Sequence, residues 1–260
     1  MQAVPADRHG PRRRVQRQAV AALDHRLHQL RVAQRRAEAG DGRFDGVRAA
    51  LPEVDVRLGY VDVRGPKVAD AVAGLDAAVV VPAFLASGYH VRTDLPAQLA
   101  DCMAAPERFP VTQAIGPDLL LARAARARLA EAGWQYGDAV VLAAAGSSDA
   151  AALAEVRAAG RMLAAEVGRR VRVGFVATAT PRVDAVVAGL RAAGERRITI
   201  ASWLLAPGIF HTRLAEVGAD AVAAPLGAHP DVVATVVARY RTAPHRLTRE
   251  QPSSRRGQQD

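Results

Sequence analysis

Ala78 to Leu85 reads AVVVPAFL, an unbroken apolar run. Such a run predicts a strand covered on both faces, as in a parallel sheet flanked by helices. Val54-Asp55-Val56-Arg57-Leu58 alternates with period two and predicts another strand. Before it, Val47 to Leu51, stopped by Pro52, predicts the end of a helix. Residues 66–75 predict a helix opened by Pro66, a favoured first-turn residue. After the long apolar run, Ala86-Ser87-Gly88-Tyr89-His90 predicts a loop. A helix capped by Thr93 or Asp94, with Pro96 in its first turn, should follow. Val111 to Ile115 predicts a short strand, and Leu119 to Ala132 a helix closed by Gly133.

The pattern then restarts. Ala139 to Ala145 (AVVLAAA) predicts a strand, and Gly146-Ser147-Ser148-Asp149 a turn into a helix reaching Val167. Strands follow at Val171 to Val176, Arg197 to Leu205 and Ala219 to Ala224. Helices are predicted from Pro181 and over Asp231 to Tyr240. Strands alternating with helices define an α/β class with parallel sheets and right-handed crossovers.

The restart carries matching residues. Gly59-Tyr60-Val61 with Pro66 and Val68 repeats as Gly174-Phe175-Val176 with Pro181 and Val183, glycine and proline being seven apart in both. Ile115-Gly116 with Asp118 is echoed less tightly by Leu226-Gly227 with Asp231. A repeat of this length is too long for a solenoid. It predicts two similar domains related by internal duplication. The expected division is a basic, atypical segment over 1–45, halves over 46–135 and 136–240, and a disordered tail over 241–260.

Composition narrows the classes. The 260 residues are 50% hydrophobic, enough for two cores of about 100–150 residues each. The single cysteine, Cys102, excludes an intrachain disulfide and a thiolate zinc cluster and reads as a small hydrophobe on a helix. No apolar run reaches the ~20 residues that span a bilayer. The arginines of residues 1–20 lack the apolar stretch of a secretory signal. A cytoplasmic protein without membrane contact is expected. The net charge of +9 sits at the ends, about +5 in residues 1–45 and about +3 in residues 241–260. That distribution suits solvated tails, and no nucleic-acid partner is expected. Neither a Gly-x-x-x-x-Gly-Lys loop nor a Gly-x-Gly-x-x-Gly turn is present, so no nucleotide or other organic cofactor is expected.

Residues 81–96, VPAFLASGYHVRTDLP, resemble the signature of the sirohydrochlorin chelatase family: a proline-containing strand, a Gly-x-His and an Asp-Leu-Pro, in that order. The segments 143–149 (AAAGSSD), 201–208 (ASWLLAPG) and 224–230 (APLGAHP) are similar to those of its two-half bacterial members. The resemblance spans residues 46–240. It implies a lyase that inserts Fe²⁺ or Co²⁺ into the tetrapyrrole sirohydrochlorin, towards sirohaem or cobalamin, working as a monomer or homodimer. His90 would be metal ligand or proton acceptor. Ser87, Gly88, Tyr89 and Arg92 would contact substrate; by its own chemistry Arg92 either pairs with a substrate carboxylate or stands solvated.

The chemistry of His90 also stands without the resemblance. It lies just past the carboxyl end of a buried parallel strand, where open α/β sheets form ligand crevices. Neutral imidazole binds borderline divalent metals such as Fe²⁺ and Co²⁺. A loop histidine bonded to backbone is the plainer alternative. One imidazole does not hold a metal and take a pyrrole proton at once, so a second base is expected.

In the family that base is a histidine in a His-Gly-[Ser/Thr] turn after the first strand, and here the sequence departs. Projection from the second half puts that strand near residues 22–29, which read ALDHRLHQ and predict none. His9-Gly10 lies too early and has no strand before it; His25 and His28 lie near the projected position. The second half has Ala145 at that place. Either the first strand and its histidine were lost, or this stretch is not the natural translation of the region. If the site is damaged, a non-catalytic tetrapyrrole- or metal-binding protein is the alternative, and a folded relic a third. His211 reads as a solvated first-turn residue and His229 as part of a turn before the last helix. The Gly146-Ser147-Ser148-Asp149 turn reads as a helix cap or an anion site.

Overall fold

The computed structural model describes residues 17–23, 44–61, 65–102 and 106–243. Two parallel sheets carry the architecture. The first has the order β2-β1-β3, from β1 (Arg17–Leu23), β2 (Val54–Tyr60) and β3 (Val79–Ala83). The second has the order β5-β4-β6-β7, from β4 (Ala139–Ala144), β5 (Val171–Phe175), β6 (Ile198–Trp203) and β7 (Ala221–Val222). In each the first strand is central and its successors flank it. β3, β4 and β6 are buried at every position; β3 and β4 are unbroken apolar runs, whereas β6 buries the polar Thr199 and Ser202.

The presence of β1 corrects the expectation that no strand precedes residue 46. Leu23 pairs with Tyr60 and Ala83, as Ala144 pairs with Phe175 and Trp203. From Leu23 to Gly59 is 36 positions, and from Ala144 to Gly174 is 30. The first crossover is longer, so projection by the second half's spacing overshot the strand. His9, His25 and His28 lie outside the described residues, as do residues 244–260, most of the expected tail.

The repeat has a steric basis. A Cβ added to Gly59 would lie 2.8 Å from the Val68 Cα, and one added to Gly174 would lie 2.9 Å from the Val183 Cα. The helices α2 (Val68–Val72) and α6 (Val183–Ala192) therefore press on their strands only where a glycine leaves room. Tyr60 bridges to Lys67 and Phe175 to Arg182, so the two turns are also alike.

The strand expected over Val111 to Ile115 is reduced to one bridge, Val80 to Val111. Val80 N–H donates to the Pro110 carbonyl and Thr112 N–H to that of Val80. The next rung would need an N–H from Pro82, which has none.

The helices do not respect the division at residue 135. α4 (Leu119–Glu131), from the first half of the sequence, packs on β6 and on α5 (Ala150–Val167). α8 (Pro230–Thr242), from the second half, packs on β3 and on α1 (Asp45–Ala50). Each half thus lends its last helix to the other. Arg128 of α4 donates to the Leu226 carbonyl at 3.2 Å, and Arg239 of α8 donates to the Ala114 carbonyl at 3.1 Å and to Asp118 at 3.2 Å. The largest core cluster draws on both halves, including Leu121, Leu129, Leu142, Leu163 and Tyr240. Burying each such leucine contributes about 1.5–3 kcal/mol, and the sum couples the halves. Cys102 is the last residue of α3 (Leu95–Cys102). Among the described residues no helix is long and apolar enough to cross a membrane.

Candidate active site

A cavity of about 310 Å³ opens between the carboxyl ends of the two central sheets, where parallel α/β sheets bind ligands. The first half contributes Leu85, Gly88, Tyr89 and His90, and the second contributes the Gly146-Ser147-Ser148 turn, Trp203, Leu205 and Phe210. Phe210 belongs to α7 (Ile209–Leu214). A close backbone approach and a hydrogen bond between the halves shape the walls. Gly146 has φ +102°, and a Cβ there would sit 1.9 Å from the Ala177 carbonyl oxygen. The Trp203 indole N–H reaches back to the Leu85 carbonyl at 3.4 Å.

His90 opens a single π-helical turn, His90–Asp94, that leads into α3. The helix expected after a cap at Thr93 or Asp94 is α3, which starts at Leu95 with Pro96 in its first turn; Asp94 itself belongs to the π-helical turn. Wider winding puts residues four apart face to face, and such turns recur at functional sites. Here it brings His90 Nδ1 onto Asp94 Oδ2. A carboxylate on Nδ1 holds the proton there and leaves Nε2 with its lone pair. His90 Nε2 is buried and has no hydrogen-bond partner among the described residues. The Tyr89 ring, 59% exposed at the cleft, stands edge-on to the imidazole with centroids 6.2 Å apart. The imidazole is thus bound to a carboxylate, and the plainer reading of a histidine bonded to backbone does not hold.

The other expected contacts are distributed differently. Gly88 and Tyr89 line the cleft; Ser87 and Arg92 do not. Ser87 N–H donates to Glu155 Oε2 at 2.5 Å. Arg92 lies 3.8 Å from Glu155 Oε1 and 4.0 Å from Asp149 Oδ2. Arg92 thus faces two carboxylates of the protein at the outer limit of ion pairing, with its side chain 49% exposed. Sequence reasoning missed Glu155, which no local motif marks. It read Asp94 as a helix cap, although the four-residue spacing from His90 was visible.

Of the remaining candidates, His211 is only partly solvated: its Nε2 lies 3.2 Å from the Ala223 carbonyl oxygen, and it does not line the cleft. His229 caps α8, accepting from Asp231 N–H at 3.2 Å. Asp149 caps α5 through Ala151 N–H at 2.8 Å, so the cap reading of that turn is correct. Among the described residues no three His, Cys, Asp or Glu side chains gather into a metal-sized group.

Two parallel α/β units of one strand order, facing across a cleft with a carboxylate-held histidine on one wall, define a duplicated α/β protein with its site between the repeats. The CbiX family model matches residues 8–132 and 139–243, and the chain belongs to that family, the sirohydrochlorin chelatases its sequence resembles. The match begins inside the segment that composition set apart as atypical. Among solved structures the chain is similar to SirB from Bacillus subtilis with Fe3+, at 21% identity and TM-score 0.70, covering 86% of this chain and 94% of that one. It is similar to SirB from Bacillus subtilis subspecies spizizenii in complex with cobalt, at 19% identity and TM-score 0.64, covering 86% and 94%. It is also similar to CbiX, described as the terminal enzyme for siroheme biosynthesis in denitrifying bacteria, at 21% identity and TM-score 0.65, covering 86% and 98%. No curated protein matches.

Proposed function

We propose that this protein inserts Fe²⁺ or Co²⁺ into sirohydrochlorin, towards sirohaem or cobalamin. The observation that carries the reading is His90: Nδ1 held by Asp94, Nε2 unpartnered, in the wall of a cleft between two sheets. In the reaction two pyrrole N–H protons leave and the metal takes their place on the four ring nitrogens. His90 Nε2 serves as the acceptor for one proton or as a transient donor to the incoming ion. Asp94 stabilises the imidazolium that forms if the proton is taken. Both metals are supported by the SirB structures, one with Fe3+ and one with cobalt.

The apolar wall of Trp203, Leu205 and Phe210 suits the flat macrocycle, and Tyr89 adds an aromatic edge. Gly88 lets that loop lie close to the ligand.

The test is anaerobic insertion of Co²⁺ or Fe²⁺ into sirohydrochlorin, followed by absorbance, with His90→Ala beside the parent protein. Insertion above the protein-free rate, lost in His90→Ala, is the expected result. Saturable sirohydrochlorin binding without turnover would instead establish the non-catalytic alternative.

A further inference from the structure

We propose that Glu155, on α5 of the second half, is a positioning residue for His90. This rests on the chelatase reading above. The second half presents Phe210 and Ala145 where histidines would stand, so it brings no imidazole to the cleft from those two places. Its contribution through Glu155 is to hold the loop that carries His90. Its Oε2 accepts the Ser87 N–H at 2.5 Å, and its Oε1 faces Arg92 Nη2 at 3.8 Å. The two contacts flank His90, three residues before it and two after. Between them the loop closes on itself, the Gly88 carbonyl accepting from the Val91 and Arg92 N–H groups.

The loop also lies directly on the first turns of α5. A Cβ added to Gly88 would be 3.7 Å from Ser147 Oγ and 3.8 Å from Ala152 Cβ. Asp149, which caps that helix, stands 4.0 Å from Arg92 Nε. One carboxylate, 28% exposed, therefore pins the histidine's loop to the opposite half. Bonds from an ionised acceptor are short and strong. The reaction needs Nε2 at bonding distance from a ring nitrogen or a metal. A misplacement of about 1 Å at such a centre costs on the order of 100-fold in rate.

The experiment compares Glu155→Ala and Glu155→Gln with the parent protein in the Co²⁺ insertion assay. Amide hydrogen exchange is followed over residues 86–92 and, as a control, over β4. Glu155→Ala is expected to lower kcat about 10–100-fold with KM for sirohydrochlorin little changed. Exchange over 86–92 should rise while that of β4 stays as it was. Glu155→Gln keeps an acceptor for the Ser87 N–H and is expected to recover most of kcat. Parental kcat in Glu155→Ala, unchanged exchange over 86–92, or a glutamine variant no better than alanine would each overturn the proposal. If the parent protein itself inserts no metal, the chelatase reading fails on its own, and exchange alone decides whether Glu155 holds the loop.

Discussion

His90 and Phe210 occupy the same place in the two halves. Ala83 pairs with the last residue of β1 and Trp203 with the last residue of β4, and His90 and Phe210 each follow seven positions later. His211, the histidine that sequence proximity suggests, is one position off and turned to the Ala223 carbonyl. Phe210→Ala is therefore expected to raise KM for sirohydrochlorin with kcat little changed, as removal of uniform binding does. His211→Ala should leave both constants within about twofold, because its ring faces the Ala223 carbonyl and does not line the cleft. Steady-state kinetics on the two variants checks this. A kcat loss in His211→Ala would contradict it.

Asp94 fixes the tautomer and plane of His90. Asp94→Ala should lose about 10–100-fold in insertion rate, the usual cost of removing a carboxylate behind a working histidine. Asp94→Asn, which can still accept from Nδ1–H, should retain more. Rates measured with saturating Co²⁺ decide the order, and equal loss in both variants would point to the charge rather than to orientation.

Gly146 is required by its backbone. At φ +102° an alanine is strained, and its Cβ would fall 1.9 Å from the Ala177 carbonyl oxygen. Gly146→Ala is expected to destabilise by at least about 2 kcal/mol. Urea unfolding followed by circular dichroism measures it, and a midpoint equal to the parent's would mean that the turn relaxes freely.

Asp220 gives a pH-dependent contribution. The Ile198 N–H, donating at 2.7 Å, and then the Arg191 guanidinium at 2.5 Å hold its carboxyl below the usual range. A group lowered on folding stabilises while it is ionised. The contribution is complete above about pH 4, the ordinary aspartate value. It is lost as pH falls through the lower folded value. Asp220→Asn should thus be less stable than the parent at pH 7, and the difference should shrink on acidification below about pH 4. The side chain is 35% exposed, so solvent and salt reduce the effect. Thermal melts at pH 3 and pH 7 test the sign.

What the sequence made legible follows from burial. β3 and β4 are covered on both faces, so their unbroken apolar runs could be little else. The duplication was visible because Gly59 and Gly174 meet the same steric demand from Val68 and Val183. β1 was not, because RQAVAAL has weak strand propensity and its crossover is longer than its counterpart. Position after a strand nominated His90 only together with the Gly-x-His and Asp-Leu-Pro resemblance. Glu155, which accepts from the Ser87 N–H, lies 68 residues beyond Ser87, a separation that no periodicity reports. The exchange of α4 and α8 was equally hidden, because an apolar helix face does not say which sheet it will meet.

That exchange bears on how such a chain diverges. Two separate copies, each lending its last helix to the other, would form a symmetric pair with identical residues at both ends of the cleft. Joined in one polypeptide, the copies remain interlocked through α4 and α8 but no longer share one coding sequence. A substitution can then enter one side alone. The imidazole on one wall and the phenyl ring on the other are an asymmetry that a pair of identical chains cannot keep.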